Sequence, residues 1–183
     1  MTGRFFDRQP ILRGDLIELR PLRPDDFDVL FRVASDPLIW EQHPERTRYQ
    51  EPVFRGFFEE ALKSGGALVA IDRATGEIIG SSRYHGYDPD RRIVEIGWTF
   101  LARRYWGGRY NGEMKKLMLE HAFPWVERVL FVIGPENRRS QRAVEKIGGV
   151  RAETTTDQHG SPRLVYELTS EAYTRARELA AGA

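Results

Sequence analysis

A strand-like run followed at once by a glycine-containing turn and a helix start is the feature that most restricts the fold of this chain. The run covers residues 94–101, and the turn contains Gly107 and Gly108. Apolar residues then recur at helical spacing, at positions 114, 117, 118 and 122. A strand that leads into a helix N-terminus gathers backbone N–H groups where the helix dipole favours an anion. The segment therefore predicts a βα unit that carries an anion site.

The turn offers candidate contacts for a phosphate group. Glycines let a phosphate approach the backbone closely, and the arginines that flank the turn can meet it with forked donors. The candidate anion contacts are Arg104, Gly107, Gly108, Arg109, Tyr110, Asn111 and Gly112. An alternative is that the glycines serve only the geometry of a βα turn.

A second strand-and-helix unit follows the first. Residues 130–133 form a short apolar run, Asn137 and Ser140 stand where a helix would begin, and Gly148 would end that helix. Asn and Ser cap helices routinely, so capping remains an alternative to a functional role for both residues.

Together, the two units resemble the GNAT superfamily of acyl-coenzyme A N-acyltransferases, and within it the ribosomal-protein-alanine N-acetyltransferases. The resemblance covers roughly residues 14–168. It rests on Trp106, Gly107, Asn111, Glu113 and Lys115, followed by Asn137, Ser140, Ala143, Lys146 and Gly148. In the family pattern Arg/Gln-x-x-Gly-x-Gly/Ala the last position is small, whereas this chain has Arg109 there and a second glycine one place earlier.

The resemblance implies an α/β fold with a mixed, mostly antiparallel sheet flanked by helices. Its two central strands, here near 94–101 and 129–133, would splay apart and admit acetyl-coenzyme A as co-substrate. Unpaired backbone at the splay can bind pantetheine in the manner of an added strand. Phe100 and Leu101 would take part there, and Asn137 and Lys146 would contact the coenzyme from the second unit.

Acetyl transfer to an amine needs a proton acceptor and a donor for the leaving thiolate. Glu95 is the candidate base, because its apolar neighbours on the strand would raise its pKa. The alternative is a solvated strand residue, and Tyr84 and His85 are weaker candidates for the same role. The resemblance implies that Ser140 protonates the departing sulfur.

The acceptor would be a primary amine, either a protein N-terminus or a small amine such as a polyamine or an aminoglycoside. The chain has no cysteine and no serine in a nucleophile-elbow pattern, so direct attack in a ternary complex is expected. The runner-up hypothesis is a GNAT-like module that binds acyl-coenzyme A or a peptide end without catalysis.

The charge distribution fits these ligands. Residues 103–146 contain ten Lys/Arg and five Glu, although the whole chain has a net charge of only +1, so the remainder is acidic. The basic segment suits the polyanionic coenzyme, and the acidic remainder suits a cationic acceptor. Nucleic acid is a rival ligand for the basic segment, but the chain shows no recognisable nucleic-acid reader motif.

Length and composition predict one domain over residues 1–183, present as a monomer or homodimer. No apolar run approaches the roughly 18 residues that span a bilayer, and the N-terminus lacks the apolar run of a signal peptide. A cytoplasmic protein without membrane contact is therefore expected. The four histidines are isolated, so no metal site is expected.

The rest of the chain predicts strands and helices that alternate with turns. Strands are expected at 16–20, 67–71, 78–85, 150–156 and 163–168, and helices from 24, from 51 and from 170. The stretch between Asp36-Pro37 and residue 50 is irregular and contains aromatic residues.

Overall fold

Strands and helices follow one another through residues 5–182, the part of the chain that the computed structural model describes. The first four residues of the N-terminal segment and Ala183 lie outside this range. The strands are β1 (Leu12–Arg13), β2 (Ile17–Pro21), β3 (Ala67–Asp72), β4 (Ile78–Asp88), β5 (Ile93–Leu101), β6 (Arg128–Ile133), β7 (Val150–Thr156) and β8 (Pro162–Thr169). The helices are α1 (Phe27–Ala34), α2 (Pro37–Trp40), α3 (Glu51–Ser64), α4 (Arg109–Ala122), α5 (Arg138–Lys146) and α6 (Ser170–Ala181). Short 3-10 turns cover Pro24–Asp26 and Arg103–Tyr105.

The eight strands form one sheet in the order β1-β2-β3-β4-β5-β6-β8-β7. The pair β5–β6 is parallel, and the other pairs are antiparallel. The connection from β5 to β6 runs through α4, as a parallel crossover requires. The predicted α/β fold with a mixed, mostly antiparallel sheet is confirmed.

The two central strands separate after a short shared segment. β5 and β6 pair only at Ile93 with Arg128, Val94 with Val129 and Glu95 with Leu130. Beyond Glu95, β5 remains paired with β4 on its other side, and β6 remains paired with β8. A wedge therefore opens between β5 and β6 toward their carboxyl ends, as expected for splayed strands.

A bulge in β5 lies beside this wedge. Ser81 pairs with Phe100 and Arg83 with Gly97, so two residues of β5 lie opposite one residue of β4. Trp98, at the bulge, has a left-handed backbone with φ of 51°, which is uncommon for a residue other than glycine. The bulge ends the regular alternation of β5 next to the site where the strands separate.

Two hydrophobic clusters hold the sheet between its helices. One contains side chains of α4 and α6 together with Val94 and Ile96 of β5. The other contains side chains of α1 and α3 together with Phe100. The three phenylalanines of α3 that the sequence marks as its apolar face are buried in this second cluster, at positions 54, 57 and 58. Phe100 faces the opposite layer from Val94 and Ile96 because the bulge shifts the alternation of β5 by one residue.

The start of α4 is anchored to the far side of the sheet by Glu113. Its carboxylate accepts the backbone N–H groups of Asp15, Leu16 and Ile17 at 2.9, 2.8 and 2.7 Å. A side chain at Gly14 would collide with this carboxylate. Glu113, which belongs to the family-like motif, therefore fixes the helix whose N-terminus forms the candidate anion site.

A buried lysine lies on the α4 side of the sheet. The Lys115 side chain donates to the Thr99 hydroxyl at 3.1 Å, and that hydroxyl is 2.8 Å from the Ser82 hydroxyl. No carboxylate pairs with the ammonium group in the described residues. Burial lowers the pKa of Lys115 from 10.5 to about 8. The charged form is therefore destabilising in the folded protein.

Replacing this lysine is expected to change the pH dependence of stability. Between pH 8 and 10.5 the unfolded chain holds a proton that folded Lys115 has released, so the free energy of unfolding of the wild type rises with pH. Lys115→Met should remove this rise and increase stability at pH 7 by up to about 3 kcal/mol. Urea unfolding across this pH range measures it, with the exposed neighbour Lys116→Met as control. Parallel curves for Lys115→Met and wild type would contradict the lowered pKa.

Candidate active site

Glu95 lies at the vertex of the wedge, because it belongs to the last residue pair that joins β5 to β6. Its side chain is half-buried. Burial raises the pKa of Glu95 from 4.5 to about 7, and the nearby Arg83 guanidinium opposes part of this rise. The carboxylate leans toward Gly97, where a Cβ atom would come within 3.1 Å of Oε1. A carboxylate of this pKa is an effective proton acceptor at neutral pH.

Arg83 and His85 share the sheet face of Glu95, because β4 pairs Arg83 with Gly97 and His85 with Glu95. Burial and the charges of neighbouring arginines lower the pKa of His85, which favours its neutral form. Its ring lies 5.1 Å from that of Trp98. Of the two weaker candidates for a base, His85 is therefore the one beside Glu95.

Tyr84 points to the opposite face of the sheet. Its hydroxyl donates to the Met118 carbonyl at 2.6 Å, and its ring is fully buried. Burial raises its pKa well above the usual value. Tyr84 is a core residue, as its position on a central strand suggests.

The N-terminus of α4 forms the candidate anion site. Gly107 and Gly108 have φ angles of 99° and 122°, a region that favours glycine. The first hydrogen bond of the helix runs from the Gly112 N–H to the Gly108 carbonyl at 2.7 Å. The N–H groups of positions 108–111 have no partner within the described residues, as is usual for a first helical turn. Open space surrounds the positions where Gly107, Gly108 and Gly112 would carry side chains.

Two of the side chains predicted to contact the anion make contacts within the protein instead. Arg104 is exposed and pairs with Glu77 of the β3–β4 turn at 2.5 Å. Tyr110 packs edge-on against Tyr105, with ring centroids 4.7 Å apart. Arg109 is exposed, and its side chain makes no hydrogen bond within the described residues. The backbone of the turn and Arg109 thus remain available to an anion.

The second unit places a cap and a free hydroxyl at the start of α5. The buried Asn137 side chain accepts the Ser140 N–H at 3.1 Å, so the capping role is present. The half-buried Ser140 hydroxyl has no hydrogen-bond partner among residues 5–182. Lys146 is exposed at the other end of α5, roughly 9 Å from Ser140 along the axis.

Phe100 and Leu101 have buried side chains, with 3% and 4% of their surface exposed. Both pair with β4, at Ser81 and Gly80. Only their backbone, on the edge of β5 away from β4, can therefore reach a ligand in the wedge. Asn111, in the first turn of α4, is half-buried.

Sequence reasoning missed several arginines that border the site. Arg139 of α5 stacks on Trp106 at 3.9 Å and donates to the Ile39 carbonyl at 3.2 Å, which joins α5 to α2. Arg83 on β4 and Arg48 in the segment before α3 both lie against the ring of Phe57. A charged residue in the interior of a predicted strand signals Arg83, whereas the irregular stretch around Arg48 gives no signal.

In the described part of the chain, no helix is both long and apolar enough to cross a bilayer. The same residues contain no group of three His, Asp or Glu side chains arranged to hold a metal ion.

The fold and sequence resemble known acetyltransferases. A family model described as an acetyltransferase (GNAT) domain matches residues 17–150. The chain is 33% identical over 166 residues to the uncharacterized protein YkkB of Bacillus subtilis (strain 168), covering 85% of this chain and 94% of that one.

Two solved structures illustrate the structural similarity. A GCN5-related N-acetyltransferase from Brucella melitensis aligns with a TM-score of 0.80 at 20% identity, covering 93% of this chain and 83% of that one. RimJ from Mycobacterium smegmatis, solved in complex with CoA-disulfide, aligns with a TM-score of 0.66 at 20% identity, covering 91% and 89%. At this identity both share the fold with the present chain.

Proposed function

Because this chain belongs to the GNAT acetyltransferase family, we propose that it transfers the acetyl group of acetyl-coenzyme A directly to a primary amine. The observation that carries the proposal is the position of Glu95, a half-buried carboxylate with a pKa of about 7 at the vertex of the β5–β6 wedge. The free N-terminus of α4 begins a few residues beyond the end of the same strand.

Acetyl-coenzyme A supplies the activated acyl group, and the site fits it at two places. The unpartnered N–H groups of positions 108–111 suit the pyrophosphate, with Arg109 beside them. The unpaired edge of β5 beyond Glu95 suits the amide groups of pantetheine. Arg104 would contact the pyrophosphate only after its ion pair with Glu77 breaks.

Glu95 accepts a proton from the acceptor ammonium group. A lysine-like amine with a pKa near 10.4 is neutral in about one molecule in 2,500 at pH 7, which costs about 4.6 kcal/mol. An α-amine with a pKa near 8 costs only about 1.4 kcal/mol. The base is therefore most important for a side-chain or small-molecule amine.

Ser140 donates its hydroxyl proton toward the leaving sulfur. The hydroxyl is free for this because Asn137 caps the helix through the Ser140 backbone N–H and leaves the side chain unused. With no cysteine in the chain, the acyl group passes directly to the amine in a ternary complex. By resemblance to the ribosomal-protein-alanine N-acetyltransferases, a protein N-terminal amine is one acceptor class, and small amines are another.

Thiol release from acetyl-coenzyme A with a panel of amines and N-terminal peptides tests the proposal. Release that depends on the acceptor, with the acetylated amine identified by mass spectrometry, is the expected result. Binding of acetyl-coenzyme A without thiol release from any acceptor would instead indicate a non-catalytic binding module.

Gly112→Leu is expected to weaken coenzyme A binding by about 10- to 100-fold, which corresponds to the free energy of one charge-assisted hydrogen bond. A helical side chain leans back over the preceding turn, so Leu at this position covers the N–H groups of the anion site. Calorimetric titration with coenzyme A measures the effect.

Gly56→Leu in α3 is the matched control, because both glycines are exposed helical positions with open space around them. Both substitutions improve helix propensity, so both proteins should remain at least as stable as the wild type. If Gly112→Leu bound coenzyme A with wild-type affinity, the pyrophosphate would have to bind somewhere other than the N-terminus of α4.

A further inference from the structure

Two arginine side chains meet at one aromatic ring beside the candidate base. The guanidinium carbons of Arg48 and Arg83 lie 4.5 and 5.5 Å from the centroid of the Phe57 ring. Arg83 also lies 4.5 Å from the Trp98 ring, and Arg48 lies 5.0 Å from the Trp40 ring. Aromatic walls therefore surround both cations.

Neither guanidinium has a hydrogen-bond or ion-pair partner within residues 5–182. Nε and Nη2 of Arg83 and Nε of Arg48 are buried without any partner. Only 5% of the Arg83 surface is exposed. Buried guanidinium groups are normally paired with carboxylates, because an unpartnered buried donor is destabilising. The donors of Arg48 and Arg83 thus lack a ligand of opposite charge.

No carboxylate near Arg48 and Arg83 forms an ion pair with either of them within residues 5–182. Glu45 and Glu60 are exposed and act on Arg48 only at a distance, and Glu60 acts on Arg83 in the same way. Glu95 is largely protonated below pH 7. His43 adds no charge, because burial and the charges of Arg48 and Arg139 lower its pKa to about 4. Both guanidinium groups therefore keep donors that no carboxylate of the described residues contacts.

The sheet register brings Arg83 close to the candidate base Glu95. Arg83 is directly opposite Gly97, and Glu95 is the diagonal neighbour on the same face. The Glu95 carboxylate leans over Gly97, the residue that lies opposite Arg83, so no side chain separates the carboxylate from that position. An acceptor whose amine reaches Glu95 would place its next polar group near Arg83.

We propose that Arg48 and Arg83 form a subsite for a carboxylate, or a similar oxyanion, on the acceptor molecule. The inference rests on the proposed acetyl transfer at Glu95 and names the class of amine that this site takes: an amine that carries an anionic group. It differs from the expectation drawn from net charge, in which the acidic remainder of the chain favours a cationic acceptor. The two guanidinium groups near Glu95 matter more than that average, because Coulomb interactions weaken with distance.

A purely structural role is the competing explanation. Arginine stacked on aromatic rings stabilises some folds. Here, however, two like charges share one ring and several of their donors are unpartnered, which is unfavourable without a ligand. Burying a charge without a partner is destabilising, so an apolar residue of similar size at that position removes this cost. The structural explanation predicts that Arg83→Met changes the melting temperature but not the choice of acceptor, whereas the subsite predicts that the choice of acceptor changes.

The test compares acids with their amides as acceptors. One series contains β-alanine, γ-aminobutyrate and ε-aminocaproate with the corresponding amides. The other contains the peptide pair Ala-Asp and Ala-Asn, both as C-terminal amides. The two series distinguish a small amino acid from an acidic peptide end. The wild type should prefer the acid by about 10- to 100-fold in kcat/KM in at least one series.

Arg83→Met should reduce this preference to near unity, and Arg48→Met should reduce it at least partly. Both acceptors of a pair use the same Glu95, so the acid-to-amide ratio cancels any change in its pKa. Arg55→Met, an exposed α3 arginine paired with Glu51, is the control and should keep the preference. If Arg83→Met does not fold, Arg48→Met, at a half-buried position, carries the test.

Calorimetry separates this inference from the proposed function. The same acids are titrated into the protein saturated with coenzyme A. Binding of acids by the wild type that is lost in Arg83→Met, without turnover of any acceptor, would support the subsite and overturn the acetyl transfer. Turnover with equal rates for acids and amides would overturn the subsite alone. A preference for acids that survives both substitutions would also overturn it.

Discussion

Glu95→Gln is expected to lower kcat/KM for a lysine-like amine at pH 7 by about 10³-fold, within the 10²- to 10⁴-fold range of a positioned base. The glutamine keeps the shape of the side chain but cannot take a proton. The variant must therefore capture the small neutral fraction of the amine, because pH 7 lies about 3.4 pH units below the amine pKa. For an N-terminal peptide the same argument gives a loss of only about tenfold.

The dependence of kcat/KM on pH should differ between the wild type and Glu95→Gln. The pKa of Glu95 is about 7, so the wild-type rate should fall as pH drops below 7 and level off above it. In Glu95→Gln this inflection should disappear, and the rate should rise tenfold per pH unit up to the amine pKa. The deficit of the variant therefore shrinks with increasing pH.

Glu60→Gln serves as the control for charge alone. This exposed carboxylate acts on Arg83, as Glu95 does, but it lies on α3 and away from the strand. The control should keep the inflection near pH 7. A pH profile of Glu95→Gln that parallels the wild type for a lysine-like amine would remove Glu95 from the mechanism.

Local patterns in the sequence were sufficient to predict the strand and the helix that position the candidate site. The period of two in residues 94–101 and the glycine turn after it correspond to β5 and the N-terminus of α4. The separation of β5 from β6 followed from the resemblance, because strand pairing depends on residues far apart in the chain. The bulge at Trp98 has no local signal, since its left-handed backbone arises from the register with β4.

The charges around the site were harder to predict for the same reason. Arg48 and Arg83 are 35 positions apart and meet only because α3 packs Phe57 against the sheet face of Arg83. Arg104 was expected at the pyrophosphate because of its place in the turn, yet its side chain pairs with Glu77 from another turn. Side-chain direction depends on such tertiary neighbours, which spacing along the chain does not reveal.

Ser140→Ala is expected to lower kcat by about 10²-fold or more, the usual contribution of a positioned proton donor. The substitution leaves the helix cap in place, because Asn137 bonds to the backbone N–H of position 140 rather than to the hydroxyl. Alanine also favours the first turn of α5. A loss of rate would therefore report on the missing hydroxyl and not on unfolding of the helix, which circular dichroism and the melting temperature would verify.

Two features distinguish this deficit from that of Glu95→Gln. The hydroxyl assists the departure of the sulfur, so the deficit should persist at high pH, where the amine is already neutral. It should become smaller with an acyl donor whose thiol has a lower pKa, because a better leaving group needs less protonation. Ser170→Ala, in the first turn of α6 where Thr169 provides the cap, is the matched control and should retain wild-type rates. An equal deficit for good and poor leaving thiols would show that Ser140 acts on something other than the departing sulfur.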